Sequence, residues 1–140
     1  MIETINLRKL LWPTPLAIFG AAVINLIWYY IASALFPESV AAAKAVANEF
    51  SAVIATIAYW IVGLVLLVVV AKLSKKPITH FTYLAIAALI VSFAFPFMAA
   101  QGELPNGASI DKTMILVLEV MHIIAATVAL PLVLKWVREN

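Results

Sequence analysis

The sequence predicts an all-α fold, in which one polytopic membrane domain spans residues 1–140 and four transmembrane helices form a bundle. Of the 140 residues, 66% are hydrophobic and only 11% are charged, whereas a soluble domain is about half apolar and a quarter charged. The apolar residues fall in four blocks, at Leu16–Phe36, Phe50–Ala71, Phe81–Ala100 and Met114–Leu134. Each block has the length of about 20 residues that a helix needs to cross a bilayer. The lipid bilayer is therefore the first partner that we expect.

The composition also excludes several classes of function. The four spans and their short connections take up most of the chain, which leaves no room for a separate soluble active site. Because the chain contains no cysteine, disulfides, thiolate metal sites and CxxC redox chemistry are excluded. Its pI near 9.0 does not indicate nucleic-acid binding, since the basic residues flank the spans, where they set orientation. We expect no nucleic-acid partner and no resident cofactor.

The first span carries one polar residue near its midpoint. It begins after Trp12, which suits the membrane interface, and Pro13, which suits the first turn of a helix. Because it is longer than a usual signal core and contains the Trp28–Tyr30 aromatic segment, we expect it to be retained rather than cleaved as a signal peptide. Asn25 has two interpretations: a hydrogen bond that fixes helix packing, or a contact to a ligand.

The second span is predicted to belong to a longer helix. Ser39 is a candidate N-cap, and no helix breaker follows between Val40 and Glu49, so we expect one continuous helix of about 34 residues. Thr56 and Tyr59 share its small and polar side, which should face protein. The apolar run 64–70 should face lipid over most of its circumference.

The third and fourth spans carry complementary features. Ala88 and Ser92 lie on a stripe of small residues that should contact another helix, and Pro96 leaves a carbonyl near Ser92 without its usual N–H. The fourth helix should be capped by Asp111 or Ser109. Within it, Glu119 and His122 are spaced to share one helical face, which continues through the small residues Ala126 and Ala129.

Basic residues flanking the spans predict the orientation. Seven lie on one side of the membrane and two on the other: Arg8, Lys9, Lys72, Lys75, Lys76, Lys135 and Arg138 against Lys44 and Lys112. Because basic residues are retained on the cytoplasmic side, we expect a multi-pass protein of the cell membrane with both termini in the cytoplasm.

In this orientation the polar residues of all four spans lie from the midplane outward. A charge inside a span costs roughly 2.5–3.5 kcal/mol on insertion scales, so Glu119 must be sheltered, paired or protonated. The economical arrangement is one buried polar cluster, a candidate ligand or proton site formed by Asn25, Thr56, Tyr59, Ser92, Glu119 and His122.

Three functions fit such a cluster. In the first, the chain is a small non-enzymatic unit that assembles with itself or with a membrane partner. Glu119, either neutral or paired with a charged His122, then fixes the helix packing by bonding to Asn25, Thr56 or Tyr59. In the second, Glu119 and His122 bind a small ligand or protons, with or without transport. In the third, His122 ligates a haem or pigment. A di-iron site cannot be built from one chain, because it needs two E-x-x-H motifs and two further glutamates.

The overall pattern resembles a family of uncharacterised four-helix bacterial membrane proteins, classed as a domain of unknown function. The resemblance rests on the chain length, the four spans, the Trp12-Pro13 start and the fourth-span segment from Met121-His122-Ile123-Ile124-Ala125-Ala126 to Pro131. It covers almost the whole chain and implies the four-helix topology. It implies no activity and assigns no role to Glu119.

Overall fold

A computed structural model of the chain describes residues 5–45, 47–101 and 110–138. After a 3-10 turn at Leu7–Leu10, six helices follow: α1 (Pro13–Leu35), α2 (Pro37–Ala43), α3 (Glu49–Leu73), α4 (Pro77–Ser92), α5 (Ala94–Ala99) and α6 (Lys112–Val137). Within these described residues, four stretches are long and apolar enough to cross a membrane: Leu7–Leu35, Glu49–Leu73, Pro77–Met98 and Lys112–Val137. The predicted all-α fold with four membrane helices is confirmed.

Helix α1 is the central element of the bundle. It packs against α6 and α3. In addition, α3 packs against α4, and both α4 and α5 contact α6. Its buried face consists mostly of small residues at spacings of three and four, which lets neighbouring backbones approach closely: Thr14, Ala17, Ile18, Ala21, Ala22, Asn25, Tyr29 and Ala32. The sequence of α1 therefore explains why two spans pack on it.

Both described ends of the chain lie at one end of the bundle. The backbone N–H of Asn6 donates to the Val137 carbonyl at 3.0 Å, and Lys9 Nζ donates to the Arg138 carbonyl at 3.2 Å. We call this the terminal end and the other the far end. One buried core cluster, which includes Ala17 and Leu67, lies toward the terminal end; another lies toward the far end.

The prediction of one 34-residue helix is wrong, because the helix is interrupted between α2 and α3. Asn48 is the N-cap of α3, and its Oδ1 accepts from the backbone N–H groups of Phe50 and Ser51, each at 3.0 Å. Ser51 Oγ in turn accepts from the Asn48 backbone N–H at 2.8 Å. This reciprocal cap starts a new helix there. Ser39 does not cap a helix, since α2 begins at Pro37.

Two predicted helix faces also need correction. Tyr59 is 60% exposed, so it does not face protein as predicted. In the 64–70 segment Leu67 is fully buried at 0% exposure and the other six residues are exposed or partly exposed, in agreement with lipid contact over most of the circumference. The buried positions of α3 are Thr56, Trp60 and Leu67, a stripe at helical spacing from which Tyr59 is displaced by one residue. Ala88 of α4 is exposed rather than packed.

The third span is a broken helix. Helix α4 ends at Ser92 and α5 begins at Ala94. Ser92 lies four residues, about one turn, before Pro96, whose ring cannot supply the N–H that would bond to the Ser92 carbonyl. Ser92 Oγ donates to the Leu89 carbonyl of its own helix at 2.7 Å. The break places Phe93 at a bend beside α6.

Candidate functional site

A buried hydrogen bond joins α1 to α3 inside the bundle. Asn25 and Thr56 are 2% and 6% exposed, and Asn25 Nδ2 donates to Thr56 Oγ1 at 2.9 Å. The Thr56 hydroxyl donates its own hydrogen to the Ala52 carbonyl at 2.7 Å, so its direction is fixed. Asn25 Oδ1, the other end of the amide, is buried and has no hydrogen-bond partner within the described part of the chain.

Glu119 lies on α6 in a half-buried position. Its Oε1 atom is buried, and among the residues described it has no hydrogen-bond partner. A carboxylate accepts hydrogen bonds at both oxygens, and a buried charge is normally paired or bonded. This oxygen is therefore the least satisfied ionisable atom that the structure describes in the spans.

His122 lies one turn further along the same face. Its Nδ1 is 2.7 Å from the Leu118 carbonyl oxygen. Because a carbonyl oxygen only accepts, Nδ1 carries a proton, and in the neutral ring Nε2 is then the acceptor. The ring meets Phe93 edge to face, with 6.5 Å between centroids, so His122 faces the bend between α4 and α5.

Two tryptophan side chains set the relative heights of the helices. Trp28 Nε1 of α1 donates to the Val117 carbonyl of α6 at 3.1 Å, and Trp60 Nε1 of α3 donates to the Ala125 carbonyl of α6 at 3.1 Å. The α6 segment between these two acceptors contains Glu119 and His122.

The Asn25–Thr56 bond falls at the height of that α6 segment. Asn25 is three residues from Trp28 toward the terminal end, which is about 4.5 Å at 1.5 Å per residue. Thr56 is four residues from Trp60 toward the far end, which is about 6 Å. Along the bundle axis, both displacements lead from one tryptophan contact toward the other. Two polar pairs, one between α1 and α3 and one on α6, therefore share a level.

The remaining predicted site residues lie outside these pairs. The Tyr59 side chain is mostly exposed, and Ser92 Oγ is bonded to its own helix. No group of three His, Cys, Asp or Glu residues suitable for a metal ion occurs in residues 5–45, 47–101 and 110–138. The candidate site is thus reduced to Asn25, Thr56, Glu119 and His122.

The two tryptophan contacts are not among the features predicted from the sequence. The signal was present, because Trp28 and Trp60 lie inside apolar spans rather than at the interfaces where tryptophan is enriched. A buried indole N–H usually finds an acceptor. Which carbonyl accepts it depends on how the helices pack, and the sequence pattern does not contain that information.

Comparison with known proteins identifies the family and no activity. The model of a family of unknown function (DUF6069) matches residues 6–139. No curated protein and no solved structure matches the chain. The match covers all four spans, in agreement with the resemblance found in the sequence. The chain therefore belongs to the DUF6069 family, whose function is unknown.

Proposed function

We propose that this chain is a small integral membrane protein in which Glu119 reversibly binds a proton inside the bundle and His122 is its exchange partner. The observation that carries the proposal is the buried Glu119 Oε1 without a hydrogen-bond partner among the described residues. An ionised carboxylate in that position is costly. A protonated one is neutral and gains a donor hydrogen.

A purely structural role for Glu119 is less well supported. A lock between helices would need a donor to the carboxylate from Asn25, Thr56 or Tyr59. Asn25 Nδ2 donates to Thr56, the Thr56 hydroxyl donates to Ala52, and Tyr59 is largely exposed. The described structure contains no such lock.

The two unsatisfied atoms at this level favour a proton over a metal ion. Both Asn25 Oδ1 and Glu119 Oε1 are acceptors, so a hydrogen-bond donor is what they lack at this height in the bundle. A proton on Glu119 supplies one. Calcium needs six to eight oxygen ligands and magnesium a near-ideal octahedron, which two acceptors on different helices do not provide.

His122 supports exchange of that proton. It lies one turn from Glu119 on the same helical face, and its Nδ1 is held by the Leu118 carbonyl. Nε2 is therefore the nitrogen that takes up and releases a proton. An imidazole nitrogen that is free of a proton can accept one and give it up again, so His122 is chemically suited to relay a proton between Glu119 and the medium.

Infrared difference spectroscopy across a pH step tests the proposal, because a protonated carboxylic acid has a carbonyl stretch distinct from that of a carboxylate. We expect an acid carbonyl band that responds to pH in the native protein and is absent from Glu119→Gln. Glu38→Gln is the matched control, since Glu38 is exposed at the far end and its loss should leave that band intact.

Two results would contradict proton binding at Glu119. One is a Glu119→Gln spectrum identical to that of the native protein, which would mean that Glu119 is ionised throughout. The other is an acid band that never changes between mildly acidic and alkaline pH, which would make Glu119 a fixed structural group. His122→Gln should slow the response without removing the band.

We also propose that both termini face the cytoplasm, which is supported by their common end of the bundle and by the basic residues there. Single cysteines in this cysteine-free chain test it. Glu38→Cys should react with a membrane-impermeant thiol reagent in intact cells, and Lys75→Cys only after permeabilisation; the opposite pattern would invert the topology. Assembly with a second copy or another protein stays a prediction, which native mass spectrometry would test.

A further inference from the structure

A cationic groove lies at the terminal end of the bundle. Its volume is about 480 Å³, and it is lined by Arg8, Lys9, Trp12, Pro13, Lys135, Trp136 and Arg138. Four of these seven side chains are positively charged and none is negatively charged. Like charges gathered in one groove repel each other, and an anion bound among them removes that repulsion.

The fold builds this groove from the two ends of the chain. Asn6 Oδ1 accepts from the Arg8 backbone N–H at 3.0 Å and so starts the 3-10 turn. The same residue's backbone N–H bonds to Val137, and Lys9 Nζ bonds to the Arg138 carbonyl. These contacts hold the cations of the 3-10 turn beside those at the end of α6, although they are far apart in sequence.

The groove lies where membrane spans end. It is formed at the start of the span Leu7–Leu35 and at the close of the span Lys112–Val137. Trp12 is 87% exposed, as expected for a side chain at the membrane interface. The headgroups of one leaflet lie at this depth.

A second groove of about 430 Å³ adjoins the first. It is lined by Pro131, Leu134, Lys135 and Arg138, so it shares two cations with the first groove and extends along α6 into its apolar part. A charged groove that is bordered on one side by the apolar residues Pro131 and Leu134 fits a molecule with a charged head and an apolar chain.

We propose that these joined grooves bind one anionic phospholipid. The phosphate lies among Arg8, Lys9, Lys135 and Arg138, and an acyl chain lies along Pro131 and Leu134. Arginine binds phosphate through paired N–H groups and lysine as a point charge. Basic pockets at the ends of membrane helices recognise anionic headgroups in this way. The inference is independent of the proton site.

The chain contains its own control for this proposal. Lys75 and Lys76 lie between α3 and α4, at the same end of the bundle, and line neither groove. If basic residues at this end only orient the protein or attract anionic lipid in general, removing charge from either place should have the same effect. A built site predicts that only the groove residues matter.

Native mass spectrometry of the detergent-solubilised full chain tests the site with phosphatidylglycerol as the probe. Lys135→Gln/Arg138→Gln should weaken binding roughly 30-fold, from about 1 kcal/mol for each cation removed. Lys75→Gln/Lys76→Gln should bind like the native protein. Lys135→Arg, which keeps the charge, should also bind normally, and circular dichroism checks that each variant is folded.

Three outcomes would overturn the proposal. Equal loss of binding in the two double variants would show general surface attraction. Equal affinity for phosphatidylcholine with the same acyl chains would show that the headgroup charge is not recognised. Displacement of phosphatidylglycerol by inorganic phosphate, with phosphate retained on the protein, would assign the groove to a free phosphate rather than to a lipid.

Discussion

Leu67 offers the sharpest test of the packing of α3. Its side chain is fully buried at 0% exposure, whereas the next residue toward the N-terminus, Leu66, is 44% exposed. The two residues are chemically identical and lie at almost the same membrane depth. Replacing each with alanine therefore isolates the effect of packing against protein from that of contact with lipid.

The expected loss of stability in Leu67→Ala can be estimated by comparing a core that unfolds into water with one that unfolds into lipid. In soluble cores Leu→Ala costs about 2–5 kcal/mol, part of it for transfer out of water and part for the cavity left behind. Lipid tails are as apolar as leucine, so the transfer part largely cancels in a bilayer. We expect Leu67→Ala to lower the free energy of unfolding by about 1–3 kcal/mol through lost packing, and Leu66→Ala to change it by less than about 0.5 kcal/mol.

Reversible unfolding in mixed micelles, followed by circular dichroism as a denaturing detergent is added, measures both variants against the native chain. The slope of the transition should stay constant, so that the midpoints report stability. Equal costs for the two leucines would refute the orientation of α3. A larger cost for Leu66 than for Leu67 would mean that the lipid-facing and buried sides are exchanged.

Two further predictions concern polar contacts. Thr56→Val leaves Asn25 Nδ2 without its acceptor and should lower the free energy of unfolding by about 0.6–1.7 kcal/mol. The loss should be smaller in an Asn25→Leu background. Equal losses in the two backgrounds, measured by the same micelle titration, would show that the pair is not coupled. The Ser39 hydroxyl and then the Met114 backbone N–H lower the pKa of Asp111. Because this pKa is lower in the folded state, Asp111 stabilises the fold at pH values above its unfolded-state pKa of about 3.9, and that stabilisation is lost as the pH falls through the folded-state pKa. Ser39→Ala should therefore reduce the loss of stability in acid. An unchanged pH profile of unfolding would count against the Ser39–Asp111 hydrogen bond.

The sequence by itself determined the features that depend on local composition. A span is recognised by its length and its apolar content, and both lie in consecutive residues. The N-cap of α6 is equally local: Asp111 was one of two predicted caps, and its Oδ1 accepts from the Met114 backbone N–H at 2.7 Å; the other, Ser109, lies outside the described residues. The polar residues Asn25 and Thr56 could be placed by depth for the same reason.

Only the tertiary structure decided which side of each span faces protein. In α3 nearly every side chain is apolar, and a helix that is apolar all round gives no amphipathic signal. Lipid and protein interior are alike to such a helix, so the sequence pattern neither singled out Leu67 as the buried residue of the 64–70 segment nor indicated that Tyr59 is exposed. The Asn48 cap was also missed, because the apolar pattern around it suggested one continuous helix.

The candidate site shows the same division. Its level could be predicted, since depth follows from position along a span. Whether its polar atoms have hydrogen-bond partners could not be predicted, because that depends on which donor each helix presents to its neighbours. Asn25 and Thr56 bond to each other, and Glu119 Oε1 lacks a partner among the described residues. The hydroxyl of Thr56 is thus hydrogen-bonded whereas Glu119 Oε1 is not, because hydrogen bonding is decided by distances of a few ångströms between helices.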